Sequence, residues 1–264
     1  MIDKKIFFLS GMPRTGSTLL GSILSQNEEV HATPTSPMYS LLVNANEHFN
    51  LLNEQYTFDY INASNRVYHA MIDAYYKDIE KPIIFDKHRG WTKAVPAIKE
   101  YLNEDVRIVC TVRPIAEIVT SYLTLADKDP DNFIDEHLVK LGEEINNENR
   151  ARLLWETYLK VPYENMCIGL KEYKDNLLLV EYRDIVFHPQ ETIKRVYEFC
   201  GLTPYEHAFN NVENKCAEAK DEAWGMKNLH TIRPKVSMES KNPSSFLSEK
   251  TINYLNSFND YGIR

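Results

Sequence analysis

Residues Ile6 to Leu20, reading IFFLSGMPRTGSTLL, constrain this chain more than any other stretch. Ile6 to Leu9 form an apolar run long enough for a buried strand. Gly11, Pro13 and Gly16 then break the pattern, and from Ser17 onward Leu19, Leu20, Ile23 and Leu24 fall on one side of a helix. A strand, a tight glycine-bearing loop and a helix N-terminus bring free backbone N–H groups and the positive end of the helix dipole to one spot. A phosphate is the natural occupant of such a spot.

From Gly11 the loop reads G-M-P-R-T-G-S-T, which has the spacing of the nucleotide triphosphatase phosphate loop. Ser17, however, stands where that loop carries its lysine. Nothing at that position bridges the outer phosphates, which weighs against the alternative of a P-loop kinase or nucleotide hydrolase. Arg14 lies earlier in the loop, as a cation for a group arriving at or leaving the terminal phosphate.

Three later strand ends add to this loop. Pro82 to Phe85 run into Asp86, Lys87, His88 and Arg89. Open α/β sheets gather ligands at their strand C-termini, so these four are candidates for chemistry. Val106 to Val112 form the clearest buried strand, followed by Arg113-Pro114 and a helix from Ile115 to Leu125. Ser121 lies eight residues after Arg113, so a strand-end cation and a helix hydroxyl can hold one phosphate between them. Asn176 to Tyr182 make a third strong strand. An amphipathic helix from Glu191 to Cys200 follows, stopped by Gly201.

Pro13-Arg14-Thr15-Gly16-Ser17-Thr18 resembles the 5′-phosphosulfate loop of sulfotransferases that use 3′-phosphoadenosine 5′-phosphosulfate, PAPS. Arg113 and Ser121 resemble that family's 3′-phosphate motif, and Tyr182, Asp184, Ile185, Pro189, Phe199, Gly201 and Leu202 resemble its later block. The resemblance covers most of the chain, with the motifs in order. It implies an α/β fold, a P-loop-like three-layer sandwich with a central parallel sheet and extra helices. It implies transfer of a sulfuryl group from PAPS to an acceptor hydroxyl or amine, without metal. Arg14, Thr15, Gly16, Ser17 and Thr18 would hold the 5′ end, and Arg113 and Ser121 the 3′-phosphate. Tyr182 would meet the adenine, and Arg233 and Lys235 would close over the cofactor. Charge developing on the departing phosphate oxygen makes Arg14 the first catalytic cation, with Lys87 or Arg89 assisting from the neighbouring strand end. His88 is the first candidate for general base, with Asp86 as fallback. A non-catalytic nucleotide-binding module is the remaining alternative.

Composition bounds the rest. At 264 residues the chain is expected to form a single domain over 1–264, with helical insertions at about 38–80 and 131–172. A net charge of −8 argues against nucleic-acid partners while permitting a local cationic pocket. Cys110, Cys167, Cys200 and Cys216 show no metal spacing. The absence of a leader, of a membrane-spanning run and of a disulfide framework leads to the expectation of a soluble cytoplasmic protein without membrane partners. His31 to Pro37 read as a two-proline loop beside the phosphate loop. Met38 to Asn53, Phe58 to Tyr76, most of Asn132 to Lys171 and Ser245 to Phe258 read as helix.

Overall fold

The computed structural model describes residues 4–51, 60–102, 105–214, 220–238 and 241–261. Five strands, β1 (Lys5–Gly11), β2 (Val30–Ala32), β3 (Ile83–Lys87), β4 (Ile108–Val112) and β5 (Leu177–Glu181), form one sheet. Their order is β2-β3-β1-β4-β5, and every pairing is parallel. β1 lies in the middle, between β3 and β4, so the three strand ends that carry the charged motifs are neighbours.

Side-chain alternation along each strand divides the core into two layers. Ile6, Phe8, Ile84, Ile108, Cys110 and Leu177 point to one face. There they meet α2 (Met38–Leu51), α3 (Tyr60–Tyr75), α4 (Val95–Leu102), α5 (Ile115–Ala126), α6 (Phe133–Leu141), α7 (Asn147–Leu153), α8 (Lys160–Glu172) and α11 (Glu249–Asn256). Phe7, Leu9, Ile83, Phe85, Val109 and Val180 point to the other face. This face packs on α1 (Ser17–Leu24), α9 (Tyr182–Phe187) and α10 (Pro189–Cys200). The result is the expected three-layer α/β sandwich.

Several boundaries differ from the sequence reading. The His31–Pro37 segment is not all loop, because His31 and Ala32 belong to the edge strand β2. Three residues bounded by turn formers carry too short a pattern to be read. The Asn132–Lys171 region is three helices. Gly142, at φ 70°, ends α6. Leu154–Leu159 are wound as a π-helix before α8. Pro162 has no N–H for the carbonyl of Tyr158, and the wider winding falls just before that missing donor. The last helix begins only at Glu249, where Ser248 caps it, and a separate 3₁₀ turn covers Pro243–Ser245. Asn53, Phe58 and Cys216 lie outside the described residues. No helix among the described residues is long and apolar enough to cross a membrane.

Candidate active site

The loop between β1 and α1 is shaped by three residues in left-handed backbone conformations. Gly11 has φ 122°, and a Cβ there would lie 2.2 Å from the carbonyl oxygen of Thr111 on β4. Arg14 has φ 61°, an uncommon conformation for a residue with a side chain and one that tends to cluster at functional sites. Gly16, at φ 89°, is the N-cap of α1 and offers no side chain to bond the first turn. The leading N–H groups of α1 are therefore left without a side-chain cap beside the loop, as an anion site requires. Thr15 turns the other way. Its hydroxyl is fully buried and bonds Met12 O and Thr111 Oγ1, each at 2.6 Å. The Thr15 side chain therefore faces the core rather than the loop's open side. It braces the loop against β4, and only its backbone amide remains for a ligand.

The loop forms the floor of a cavity of about 1040 Å³ at the C-terminal ends of β1, β3 and β4. Its lining carries Arg14, Lys87, Arg89, Arg113, Arg233 and Lys235 against one carboxylate, Glu117, among the described residues. In a chain of net charge −8 this concentrates positive charge in one place. Thr35, Ser36 and Pro37 of the two-proline loop line the same cavity.

Strand pleating sorts the charged run after β3. Lys87 lies on the α1 side, and its Nζ donates to Thr18 Oγ1 at 3.1 Å, in the first turn of α1. A lysine from the neighbouring strand thus reaches the helix start where the loop itself has Ser17. Asp86 points to the opposite face. It is fully buried and accepts from Trp91 Nε1 at 2.8 Å and from the Tyr76 hydroxyl. Burial raises its pKa, partly offset by bonds from Ser36, Tyr76 and Trp91. Asp86 does not line the cavity, so the fallback base is corrected to a core residue.

His88 does line the cavity, with its ring stacked on Tyr39 at 4.4 Å between centroids. Burial, helped by Arg89, pulls its pKa down to about 4, so it is neutral at ordinary pH. Its Nδ1 accepts the N–H of Gly90 at 3.1 Å. In a neutral imidazole the proton then resides on Nε2. As folded, His88 presents Nε2–H to its surroundings, an arrangement suited to donating a hydrogen bond rather than accepting a proton.

At the end of β4, Arg113 bonds Glu117 Oε2 through Nε at 3.1 Å and Arg14 O through Nη1 at 3.2 Å. Its guanidinium stacks 4.4 Å above the Tyr182 ring. That ring also lies against Gly16, where an added Cβ would come 2.7 Å from Tyr182 Cδ2. Ser121 Oγ accepts from Arg14 Nε at 3.1 Å, and a second Arg14 nitrogen donates to Leu229 O. Arg14, Gly16, Ser17, Thr18, Lys87, Arg113, Ser121, Tyr182, Arg233 and Lys235 therefore share one cavity, with Arg233 and Lys235 exposed at its rim.

The sequence reading missed Asp221 and His230. His230 lines the cavity, and its Nδ1 lies 2.6 Å from Asp221 Oδ1, while the His230 N–H donates to Asp221 Oδ2 at 3.2 Å. The segment is held at several points. Gly225 O accepts from Phe133 N at 2.7 Å, Lys227 N donates to Asp129 Oδ2 at 2.8 Å, and Leu229 O is taken by Arg14. No periodic pattern announces this pair, because its nine-residue separation crosses a 3₁₀ turn at Asp221–Trp224.

Residues 7–207 match the family model described as Sulfotransferase family. No curated protein matches the sequence. Among solved structures the chain is similar to the sulfotransferase domain from the curacin biosynthetic pathway, at 19% identity over 97% of this chain and 89% of that one, with a TM-score of 0.53. It is similar to a mouse sulfotransferase complexed with PAP, at 13% identity over 99% and 84%, with a TM-score of 0.55. A third is retinol dehydratase in complex with androsterone and inactive cofactor PAP, at 13% identity over 100% and 82%, with a TM-score of 0.54. These likenesses establish a shared fold.

Proposed function

The chain belongs to the sulfotransferase family, and from that premise we propose that its cavity takes PAPS as sulfuryl donor and an acceptor hydroxyl or amine beside it. The observation that carries the donor assignment is the uncapped start of α1, met by Lys87 from β3 and Arg14 from the loop. These groups suit the 5′ end of the donor, and Arg113 with Ser121 suits a second anion, the 3′-phosphate. Two of the similar structures were solved with PAP. PAPS supplies the sulfuryl group, with PAP as the leaving group.

The chain's own residues divide the remaining work. Backbone N–H groups of Thr15 to Thr18, with Arg14 and Lys87, stabilise negative charge that develops on the departing phosphate oxygen. Fixed donors in a partly enclosed site need no reorganisation when that charge appears. Arg113 orients the nucleotide while stacked on Tyr182, whose ring offers a face for adenine. Arg233 and Lys235 add charge at the rim. His88 contributes an Nε2–H donor. We read the whole chain as one such domain, with helical insertions at about 38–80 and 131–172. The free thiols Cys110, Cys167 and Cys200 support a cytoplasmic setting.

The test is thermal stabilisation by PAP against AMP and against ATP with magnesium. At a concentration of 100 times Kd, PAP stabilises by about 2.7 kcal/mol. For a chain of this size that is a rise of roughly 5–10 °C in Tm. A larger shift with ATP and magnesium, or none with PAP, would replace the sulfuryl donor with a nucleotide triphosphate.

A further inference from the structure

We propose that His230, oriented by Asp221, is the general base that takes the proton from the acceptor. The inference rests on the sulfuryl-transfer reading above and names a group within that site. Asp221 Oδ1 sits 2.6 Å from His230 Nδ1, so the carboxylate holds that nitrogen in its N–H form and leaves the Nε2 lone pair free. The other histidine of the cavity has the opposite arrangement, since the Gly90 N–H occupies Nδ1 of His88. Both side chains of the Asp221–His230 pair are only 14% exposed, while His230 still lines the cavity.

Position and charge agree with that role. Arg14, from the phosphate loop, donates to Leu229 O, which fixes the residue before His230 beside the loop. Three charged groups act on His230. Burial lowers its proton affinity, the bond to Asp221 raises it, and Lys87 and Arg14 lower it. The base therefore stands among the cations assigned to the departing phosphate, and is kept neutral enough to accept a proton at ordinary pH. In the step, the acceptor O–H proton passes to His230 Nε2. The freed pair forms the O–S bond, the S–O bond to the phosphate breaks with its pair on the phosphate oxygen, and the imidazolium returns its proton to solvent.

The experiment has two arms. In the first, long-range ¹⁵N–¹H NMR of the unliganded wild-type protein reads histidine tautomers. The expected result is Nδ1–H for His230 and Nε2–H for His88. A His230 protonated on Nε2 at pH 7.5 overturns the assignment. In the second, PAP affinity and sulfate release from PAPS, with water as acceptor, are compared for wild type, His230→Gln and Asp221→Asn. His230→Gln is expected to keep PAP binding within about threefold while turnover falls about 100-fold, the usual scale for loss of a general base. Asp221→Asn is expected to lose about tenfold and to move the acidic limb of the pH–rate profile to lower pH, a shift that a merely structural lesion would not produce. Retention of more than a third of wild-type turnover by His230→Gln overturns the assignment alone. Failure of the wild type to bind PAP overturns the donor reading, and the inference with it.

Discussion

Substituting Gly11 and Gly21 with alanine should move stability in opposite directions, for reasons set by the first strand–loop–helix unit. At Gly11 the backbone has φ 122°, and an added Cβ would lie 2.2 Å from Thr111 O and 2.9 Å from Thr111 N. Those atoms belong to the middle of the sheet and cannot retreat as the end of a flexible side chain would. The backbone conformation costs about 1–3 kcal/mol for an L-residue. Forcing β1 from β4 adds about 1–3 kcal/mol of overpacking. A total near 4 kcal/mol is a large share of a typical domain stability of about 5–15 kcal/mol. At roughly 2–4 °C per kcal/mol, Tm should fall by about 8–16 °C. Gly21, by contrast, sits inside α1 with Ala32 Cβ at 3.6 Å and Leu9 Cδ1 at 3.7 Å from an added Cβ, which is ordinary contact. Gly21→Ala should gain about 0.5–1 kcal/mol from helix propensity. Urea unfolding with calorimetry measures both. A Gly11→Ala protein within 1 kcal/mol of wild type, or a Gly21→Ala protein less stable than wild type, refutes the close-approach argument.

Other outcomes follow from the same geometry. Asp86→Ala leaves the buried Trp91 Nε1–H and Tyr76 hydroxyl without their acceptor and should cost about 3 kcal/mol in urea unfolding. In the folded fraction its PAP affinity should stay within about threefold; a loss of binding at unchanged stability would return Asp86 to the site. Arg113→Met should weaken PAP by about 10–100-fold, the scale of a lost charged hydrogen bond, while AMP loses little. Equal losses for both nucleotides would remove Arg113 from the 3′-phosphate. Acidification should destabilise the protein between pH 6.5 and about 4. His88 has its folded pKa pulled down to about 4, and burial also lowers His31, His207 and His230, so the unfolded chain binds more protons over that window. Above pH 6.5 this contribution is fully present. A Tm that stays flat from pH 7 to pH 5 contradicts it, and His88→Gln should make the slope shallower.

The layered fold and one half of the site were legible because both follow from local rules. The β1–α1 unit announces itself by an apolar run, two glycines and a helical stripe, β4 is fully buried, and the edge strand β5 opens with four apolar residues. Arg113 and Ser121 share a cavity because a strand end and the helix that follows it are bound to meet. What stayed hidden depends on long-range placement. His88 reads as a base from its residue type, yet a backbone N–H two residues later decides which nitrogen holds the proton. Nothing local announces that the Thr15 hydroxyl is bound to Thr111 of β4. The Asp221–His230 pair lies in a segment without periodicity, anchored by Asp129, Phe133 and Arg14 from distant parts of the chain.

The pleat at the end of β3 has a genetic consequence. Asp86 and Lys87 are adjacent in sequence but face opposite sides of the sheet, one closing the core and the other reaching Thr18. Lesions at codon 86 act on the amount of folded protein, so growth at low temperature should rescue them. On the role proposed for Lys87, lesions at codon 87 should leave the protein abundant and inactive at every temperature. In a library scored in parallel for abundance and for product, these neighbouring codons would fall into different classes of loss, with the boundary set by a single peptide bond.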